Sequence, residues 1–405
     1  QSSTNQEAKQ VTPVTVQAQS ASVQQSTSAN NNVTTQVAEN KVATAPTTPA
    51  TTSEQSKNTQ VVNNGEQSNA TQSSTTQKSE EPKVETPVNT ADNASQKNID
   101  GNWYLVDNNT GKNLTGFQEI KDQNKVVYYA PSNAQMQFGW QNINSNKYYF
   151  DKFSGAMTTG QRNIDGSWYL FDNQGVMQTG FQRIENQNKT VYYNKNGQMQ
   201  YGQQVVGNHW YLFDRYSGAM LTGFQNLALY GQNKTVYYNK DGQLQYGLNK
   251  IDGHTYLFDK SSGAMQTGFQ NLAPYGQDKT VYYNKDGQLQ YGSQVINGKK
   301  YYFDKSSGKM YIGVAYNADT RTIQYYASNG QMQFGKVNIS GKTYDFDDKT
   351  GNLLMQGLVT LGGKNYLLDS NYKAITGQQV IGNHWYLFSK YDGSMQTGFQ
   401  DLTPY

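Results

Sequence analysis

Thr190-Val191-Tyr192-Tyr193-Asn194-Lys195-Asn196-Gly197-Gln198-Met199-Gln200-Tyr201-Gly202 returns almost letter for letter from Thr235 and again from Thr280. The starting threonines stand 45 residues apart. A fixed period of that size marks a repeat architecture, in which one small unit is stacked many times. Within the unit, a β-branched and aromatic run meets a short polar turn with Gly and then a second short run, which is the pattern of a β-hairpin. Asn196-Gly197, Asp241-Gly242 and Asp286-Gly287 are dipeptides that a tight hairpin turn prefers, so the turn is expected there.

A second kind of hairpin alternates irregularly with the first. Its type is Asp165-Gly166-Ser167-Trp168-Tyr169-Leu170-Phe171-Asp172, a turn ending at Gly175, then Val176-Met177-Gln178-Thr179-Gly180-Phe181-Gln182. Its Tyr recurs at 104, 148, 169, 211, 256, 301, 344 and 386, and two places on stands Phe in every copy but one, Val106. Side chains alternate across a strand, so these two columns share a face, assigned to the core. The column before Tyr holds Trp103, Lys147, Trp168, Trp210, Thr255, Lys300, Thr343 and Trp385. A position that accepts Trp, Lys or Thr is not sealed, and it is assigned to an outer face or the rim of a groove. A lone hairpin is marginal in water, so its aromatic face must be covered by the next unit. The expected fold is all-β, a solenoid of stacked β-hairpin repeats. Units between about 304 and 378 fit the template poorly: Asp345 stands where Leu or Tyr is usual, and Lys364 to Gln378 diverges.

Composition divides the chain in two. Residues 1–97 contain no Phe, Trp or Tyr, one Gly and five of the eight prolines. Such a Gln/Ser/Thr/Asn-rich segment buries too little apolar surface to offset its ordering entropy, so disorder is expected there. Residues 98–405 form the repeat array. The last residues, Asp401-Leu402-Thr403-Pro404-Tyr405, copy the start of Asn271-Leu272-Ala273-Pro274-Tyr275, which predicts a chain cut in mid-repeat from a longer polypeptide. The net charge of +3 is spread thinly, without the basic stripe of a nucleic-acid surface. There is no cysteine, so packing rather than disulfides must hold the fold. No run of eighteen apolar residues exists, and no membrane span is expected.

These hairpins resemble the glucan-binding and cell-wall-binding repeats of Gram-positive surface enzymes. The mix with Val-Tyr-Tyr-Asn-Lys and the Leu272-Ala273-Pro274-Tyr275-Gly276 junction is similar to repeats flanking the catalytic core of glucansucrases of lactic acid bacteria. That resemblance implies a secreted parent that builds α-glucan from sucrose, with the repeats holding the polymer. It covers residues 98–405 and leaves out the catalytic barrel, so no residue here inherits a catalytic role.

The residues themselves speak against catalysis in this chain. Asp151, Asp172, Asp214, Asp259, Asp304 and Asp347 occupy one repeat position, where Asp bonds its own backbone in a turn. A glycosidase needs a unique carboxylate pair flanking one bond. His209, His254 and His384 share one column with Asn102, Ser167 and Lys299, swaps that a metal ligand or general base does not tolerate. No cofactor or metal is called for.

Carbohydrate binding is the better supported chemistry. Sugars present C–H faces to aromatic rings and hydroxyls to polar side chains. The candidate sets are Tyr193, Lys195, Gln200 and Tyr201; Tyr238, Lys240, Gln245 and Tyr246; and Tyr283, Lys285, Gln290 and Tyr291. Trp168 and Trp210 add ring surface, and Gln182, Gln225 and Gln270 are expected to close the pockets. The expected partner is an α-glucan polysaccharide, with the bacterial cell wall as a further candidate. The alternative is a choline- or wall-binding or adhesin module. A quaternary ammonium wants aromatic cages, best of Trp, and the interrupted Trp column speaks against consecutive cages of that kind.

Overall fold

The structure, a computed structural model, describes residues 88–405. The expectation of disorder for residues 1–87 lies outside the described residues. The described residues are all-β, a succession of short antiparallel ladders joined by turns and four single 3-10 turns.

In hairpin 160–171, Gly160–Ile164 pairs with Ser167–Phe171, Gly160 opposite Phe171 and Ile164 opposite Ser167. The two residues between, Asp165 and Gly166, lie at φ 50 and 87, the left-handed pair that a two-residue turn with the right twist requires. The stretch that defines the repeat behaves differently from the expected hairpin. Lys189–Tyr193 pairs backward with Gly180–Ile184, while the arm after the turn meets the ladder at one isolated bridge, Tyr193 to Met199. The Asn196-Gly197 turn is therefore not the tight two-residue type: Gly197 has φ 81 and Asn196 keeps a negative φ. The reason lies one residue earlier. Asn194 Oδ1 accepts the N–H groups of Asn196 and Gln198 at 2.9 and 3.0 Å, and this side-chain turn replaces the backbone one.

That single bridging residue joins the units. The Met199 N–H donates to the Trp168 carbonyl of the preceding hairpin at 2.9 Å, Met220 to Thr190 at 2.7 Å, Leu244 to Trp210 at 2.9 Å and Met265 to Thr235 at 2.8 Å. Each of these units thus pairs with its own ladder and donates one backbone hydrogen bond to the unit before it.

The Tyr/Phe face is core, as expected: Phe150, Phe171, Phe213, Phe258, Phe303, Phe346 and Phe388 are all sealed. The opposite face is not simply outer, however. Its Trp end is exposed, but the residue between Tyr and Phe on the same face is buried in Leu105, Tyr149, Leu212 and Leu257. Each hairpin lies between two neighbours, so both faces pack. The Tyr/Phe face looks back along the chain and the Leu face looks forward.

Asp345 shows what the forward face does. It occupies that Leu position and is exposed. The next hairpin, 357–368, skips its immediate neighbour: the Ala374 N–H donates to Arg321 of hairpin 313–326 at 2.8 Å. Residues of three hairpins then share one core, with Ile323, Tyr344, Phe346, Val359, Leu361 and Tyr366 among its buried members. The Tyr344 hydroxyl ties hairpin 335–346 to the Thr360 carbonyl at 2.6 Å. The units that fit the template poorly keep regular ladders and trade serial stacking for a joint cluster.

The expected boundary at residue 97 falls inside a ladder. Ala94–Ile99 pairs with Asn102–Asp107, and Val88–Thr90 runs parallel along Gly116–Ile120. These residues are polar and ring-free, so composition misses them. Their backbone groups supply the pairing.

Asp at the repeat turn does what its position suggests. Asp151 Oδ1 accepts from the Phe153 and Ser154 N–H groups, and Asp214, Asp259 and Asp304 repeat the motif. The Ser154 and Ser217 backbone N–H groups hold the Asp151 and Asp214 carboxyls below their ordinary range, and the Ser261 and Ser306 hydroxyls do so for Asp259 and Asp304.

Two outcomes follow from this architecture. Phe258→Ala should cost about 3–5 kcal/mol locally, and amide exchange should quicken in hairpins 223–238 and 247–258 while hairpin 139–150 keeps its protection, because stability in a stacked array is a sum of neighbour terms. Uniform loss of protection would contradict it. For pH, a depressed folded pKa contributes stability that is present above the unfolded value of about 3.9 and is lost as pH falls below it. The melting temperature should be level between pH 8 and 5 and drop progressively below about pH 4; a flat profile down to pH 2 would remove the turn carboxylates from the account.

Candidate functional site

Because both faces of a hairpin pack, every joint between units is a candidate site, and the joints are of two kinds. At the first kind four rings meet. Phe181 lies 4.9 Å from Tyr192 and 5.0 Å from Tyr211, centroid to centroid, and Tyr192 stacks at 6.1 Å on Phe213. Phe224 repeats this with Tyr237 at 4.9 Å and Tyr256 at 5.0 Å, and Phe269 with Tyr282 at 4.9 Å and Tyr301 at 5.0 Å. Phe117 makes the same cradle with Tyr128 and Tyr148 at 4.8 and 5.1 Å. Ladder pairing places Phe181 directly opposite Tyr192, and stacking of the next hairpin brings in Tyr211.

The copies differ in access. Phe181, Phe224 and Phe269 are 41%, 40% and 41% exposed, whereas Phe117 is buried. Three cradles are therefore open at one ring, Phe181, Phe224 or Phe269, beside a half-buried Tyr192, Tyr237 or Tyr282 and over a buried Tyr and a sealed Phe. At a fifth joint Trp140 takes the Phe place, 5.0 Å from Tyr149 and 4.8 Å from Tyr169. There the protein's own cations sit on the rings, Lys147 over Trp140 at 4.6 Å and Arg162 over Tyr149 at 5.7 Å. An open cradle offers ring faces to an apolar sugar face or to a soft cation. On the same strand face as Phe181 lie Arg183 and Thr190, a cross-strand pair that supplies polar groups at the rim.

The second kind of joint is plugged by aliphatic side chains beneath one sealed tyrosine. Leu212, Leu227, Val236 and Leu244 surround Tyr238; Leu257, Leu272, Val281 and Leu289 surround Tyr283; and Ile184, Val191 and Met199, with Leu170 and Tyr201 at the edge, surround Tyr193. A relay of amides reaches the buried hydroxyl. Gln187 donates to Gln161 at 2.9 Å, and Gln161 to the Tyr193 hydroxyl at 3.2 Å; Gln123, Gln96 and Tyr129 repeat it. The hydroxyls of Tyr238, whose joint keeps the first-strand glutamine as Gln203, and of Tyr283, where Leu248 replaces it, both lack a hydrogen-bond partner among the described residues. Burial pushes the Tyr193, Tyr238 and Tyr283 hydroxyls up from their ordinary value.

The residues singled out from sequence are divided by this geometry. Tyr193, Tyr238 and Tyr283 are sealed and offer no ring face to a ligand: they are core, because the ladder turns the second Tyr of each pair back onto the preceding unit. Tyr192, Tyr237 and Tyr282, the first of each pair, face the cradles instead. Tyr201 is half-buried over the aliphatic plug, and Tyr246 and Tyr291 are each 39% exposed. Lys195, Lys240 and Lys285 are exposed on the turns. The Gln200, Gln245 and Gln290 side-chain N–H groups donate to the carbonyls of Gln198, Gln243 and Gln288. Gln182, Gln225 and Gln270 donate to Thr179, Thr222 and Thr267 in the same way, bracing the chain just before each open Phe. Trp168 and Trp210 are exposed but stand outside the four-ring cradles. The interrupted Trp column therefore does not decide whether aromatic cages form; the Phe of Thr-Gly-Phe-Gln does. Phe181, Phe224 and Phe269 were missed, although they recur with the repeat. The three histidines are exposed at strand starts, and no three His, Cys, Asp or Glu side chains gather among the described residues.

Comparison with known proteins agrees with the repeat geometry. Residues 178–224 and 267–313 match the choline-binding repeat, and residues 139–157 and 162–177 match the putative cell wall binding repeat. A glucosyltransferase-S of Streptococcus downei is 39% identical over 80 residues, 19% of this chain and 6% of that protein. The glucosyltransferase-S of Streptococcus mutans is 32% identical over 88 residues, 21% of this chain and 6% of that protein. The matched stretch is thus a small part of those relatives. Among solved structures, choline-binding protein CbpF in complex with ipratropium is 21% identical, covers 70% of this chain and 99% of its own, and has a TM-score of 0.39. Alternansucrase in complex with isomaltononaose is 20% identical, with 75% of this chain and 23% of its own covered, at a TM-score of 0.25. Parts of the chain thus match the choline-binding and cell wall binding repeats, and about a fifth of its length is similar to two streptococcal glucosyltransferases.

Proposed function

We propose that the array is a non-catalytic module that binds α-glucan polysaccharide, working as the polymer-holding part of an extracellular glucosyltransferase. The observation that carries this reading is the recurrence of one open Phe–Tyr–Tyr cradle, with centroid distances equal within 0.1 Å, at Phe181, Phe224 and Phe269. A sugar ring lays its C–H face on the exposed Phe and the half-exposed Tyr, and its hydroxyls bond the rim. Tyr201, Tyr246 and Tyr291, with Lys195, Lys240 and Lys285 on the neighbouring turns, extend the surface along the glycan. One shallow cradle binds weakly, but several on one covalent array gain through effective concentration. Similarity to two streptococcal glucosyltransferases supports glucan as the polymer. Sucrose-dependent glucosyl transfer would belong to the rest of such a parent.

A second reading has an observation of its own. A ring cradle also suits a quaternary ammonium through cation–π attraction, and two stretches match the choline-binding repeat. The open cradles here are built of Phe and Tyr without Trp, the strongest ring for that purpose, which favours the sugar.

Affinity electrophoresis in gels with and without dextran tests the choice. Dextran should slow the protein, and the polymer should bind at least about 100-fold tighter than its disaccharide; equal affinities would refute the avidity argument. Retention on a choline support with none in dextran would transfer the assignment to choline. The triple variant Phe181→Ala, Phe224→Ala, Phe269→Ala should lose most of the retardation while its circular dichroism stays that of the parent, since these rings are partly solvent-facing. Undiminished retardation would move the site away from the cradles.

A further inference from the structure

The aliphatic joints repeat, and one of them is lined by polar side chains. Hairpin 313–326 has the same length and register as hairpin 180–193, with Gly313 opposite Tyr326 as Gly180 is opposite Tyr193. Reading across that register, Asn317 stands for the buried Ile184 and Gln324 for the sealed Val191. On the preceding hairpin, 292–303, Tyr302 stands for Leu170 and Ser293 for Gln161. Three aliphatic plug residues have become two amides and a phenol. This joint holds a cavity of about 440 Å³, with Asn317 exposed; the joint at Leu105 and Ile120, which keeps its aliphatic residues, borders one of about 610 Å³.

The cavity is shaped by rings. Tyr311 stands edge-on to Tyr302 at 6.1 Å and to Tyr326 at 5.9 Å, and its hydroxyl is anchored on the Val314 carbonyl at 2.9 Å. Tyr326 remains sealed as the floor. Gln324 is held by its Nε2 on Asn352 Oδ1 at 3.0 Å, so the amide is fixed in place. Lys305 and Asp319 also line the cavity, one charge of each sign, a balance that favours neither an anion nor a cation.

Rigid aromatic walls, uncharged amides and a hydroxyl, balanced charge and a volume inside the usual range of about 300–1,000 Å³ for small-ligand pockets describe a receptor for a neutral polyhydroxylated ring. We propose that this cavity is a site for a pyranose unit of a neutral oligosaccharide, separate from the repeated cradles. It rests on the carbohydrate reading above and adds a pocket lined by amides as well as rings.

The repeat supplies its own control. Tyr302→Leu, Asn317→Ile and Gln324→Val together restore the side chains of the joint at Leu170, Ile184 and Val191, a plug that packs elsewhere in this chain. Calorimetric titration of the full chain with isomaltotriose should show, above the weak binding of the three cradles, a tighter site that this triple variant loses, its affinity falling at least tenfold. Identical stoichiometry and affinity in parent and variant would overturn the proposal. The three-Phe variant keeps the two ideas apart. If it loses dextran retardation while the refilled variant binds trisaccharide like the parent, the cavity site is wrong and the cradle reading stands. If the refilled variant loses its trisaccharide site while the three-Phe variant keeps full dextran retardation, the cavity stands and the cradles do not.

Discussion

A ladder of two five-residue strands buries almost nothing by itself. Everything in this protein depends on the contact that closes one such ladder against the next: a Met or Leu that bridges its own hairpin and donates its N–H to the hairpin before, with a ring or a leucine pressed beneath it. Met199 on Trp168 and Leu244 on Trp210 are typical. The hydrogen bond sets the register between units, and the buried ring supplies most of the favourable free energy, as large aromatic side chains do.

Since each hairpin has a neighbour before and after, its two faces must both be apolar, and they need not be alike. Two kinds of joint result. Where the forward face carries Phe and Tyr, the joint leaves Phe181, Phe224 and Phe269 partly uncovered and Phe117 buried; where it carries Leu, aliphatic side chains pack around a sealed tyrosine. Candidate binding surface and structural core are therefore alternative outcomes at equivalent positions. The middle of the array alternates them: Phe181, then the plug around Tyr238, then Phe224, then the plug around Tyr283, then Phe269. Asp345 tests the rule from the other side. With a carboxylate on the forward face, the bridging hydrogen bond of the following hairpin goes to an earlier unit, and a three-hairpin cluster replaces the serial joint.

The same logic explains how a polar pocket arises without new secondary structure. The exchange of Ile184 and Val191 for Asn317 and Gln324 leaves the ladder unchanged, because backbone pairing does not read side chains. It changes the lining of the joint from aliphatic to polar, because side chains alone form that lining. Repeat proteins can vary one joint at low cost to the rest, since each unit touches chiefly its neighbours.

The 45-residue recurrence, the alternating Tyr and Phe columns and the Asp turns were legible in the amino-acid order, because period, strand alternation and local turn chemistry are properties of short segments. All-β hairpin stacking and the sealed Phe column follow from them. What the order of residues did not contain was direction. Whether Tyr193 or Tyr192 faces a ligand depends on whether Lys189–Tyr193 pairs upstream or downstream, and a shift of pairing exchanges the two faces of the strand. Upstream pairing buries Tyr193, brings Tyr192 beside Phe181, and makes Tyr211, nineteen places further on, the third wall of the same cradle. Only the tertiary structure decides that, because the cradle belongs to a joint between two units and no single unit contains it.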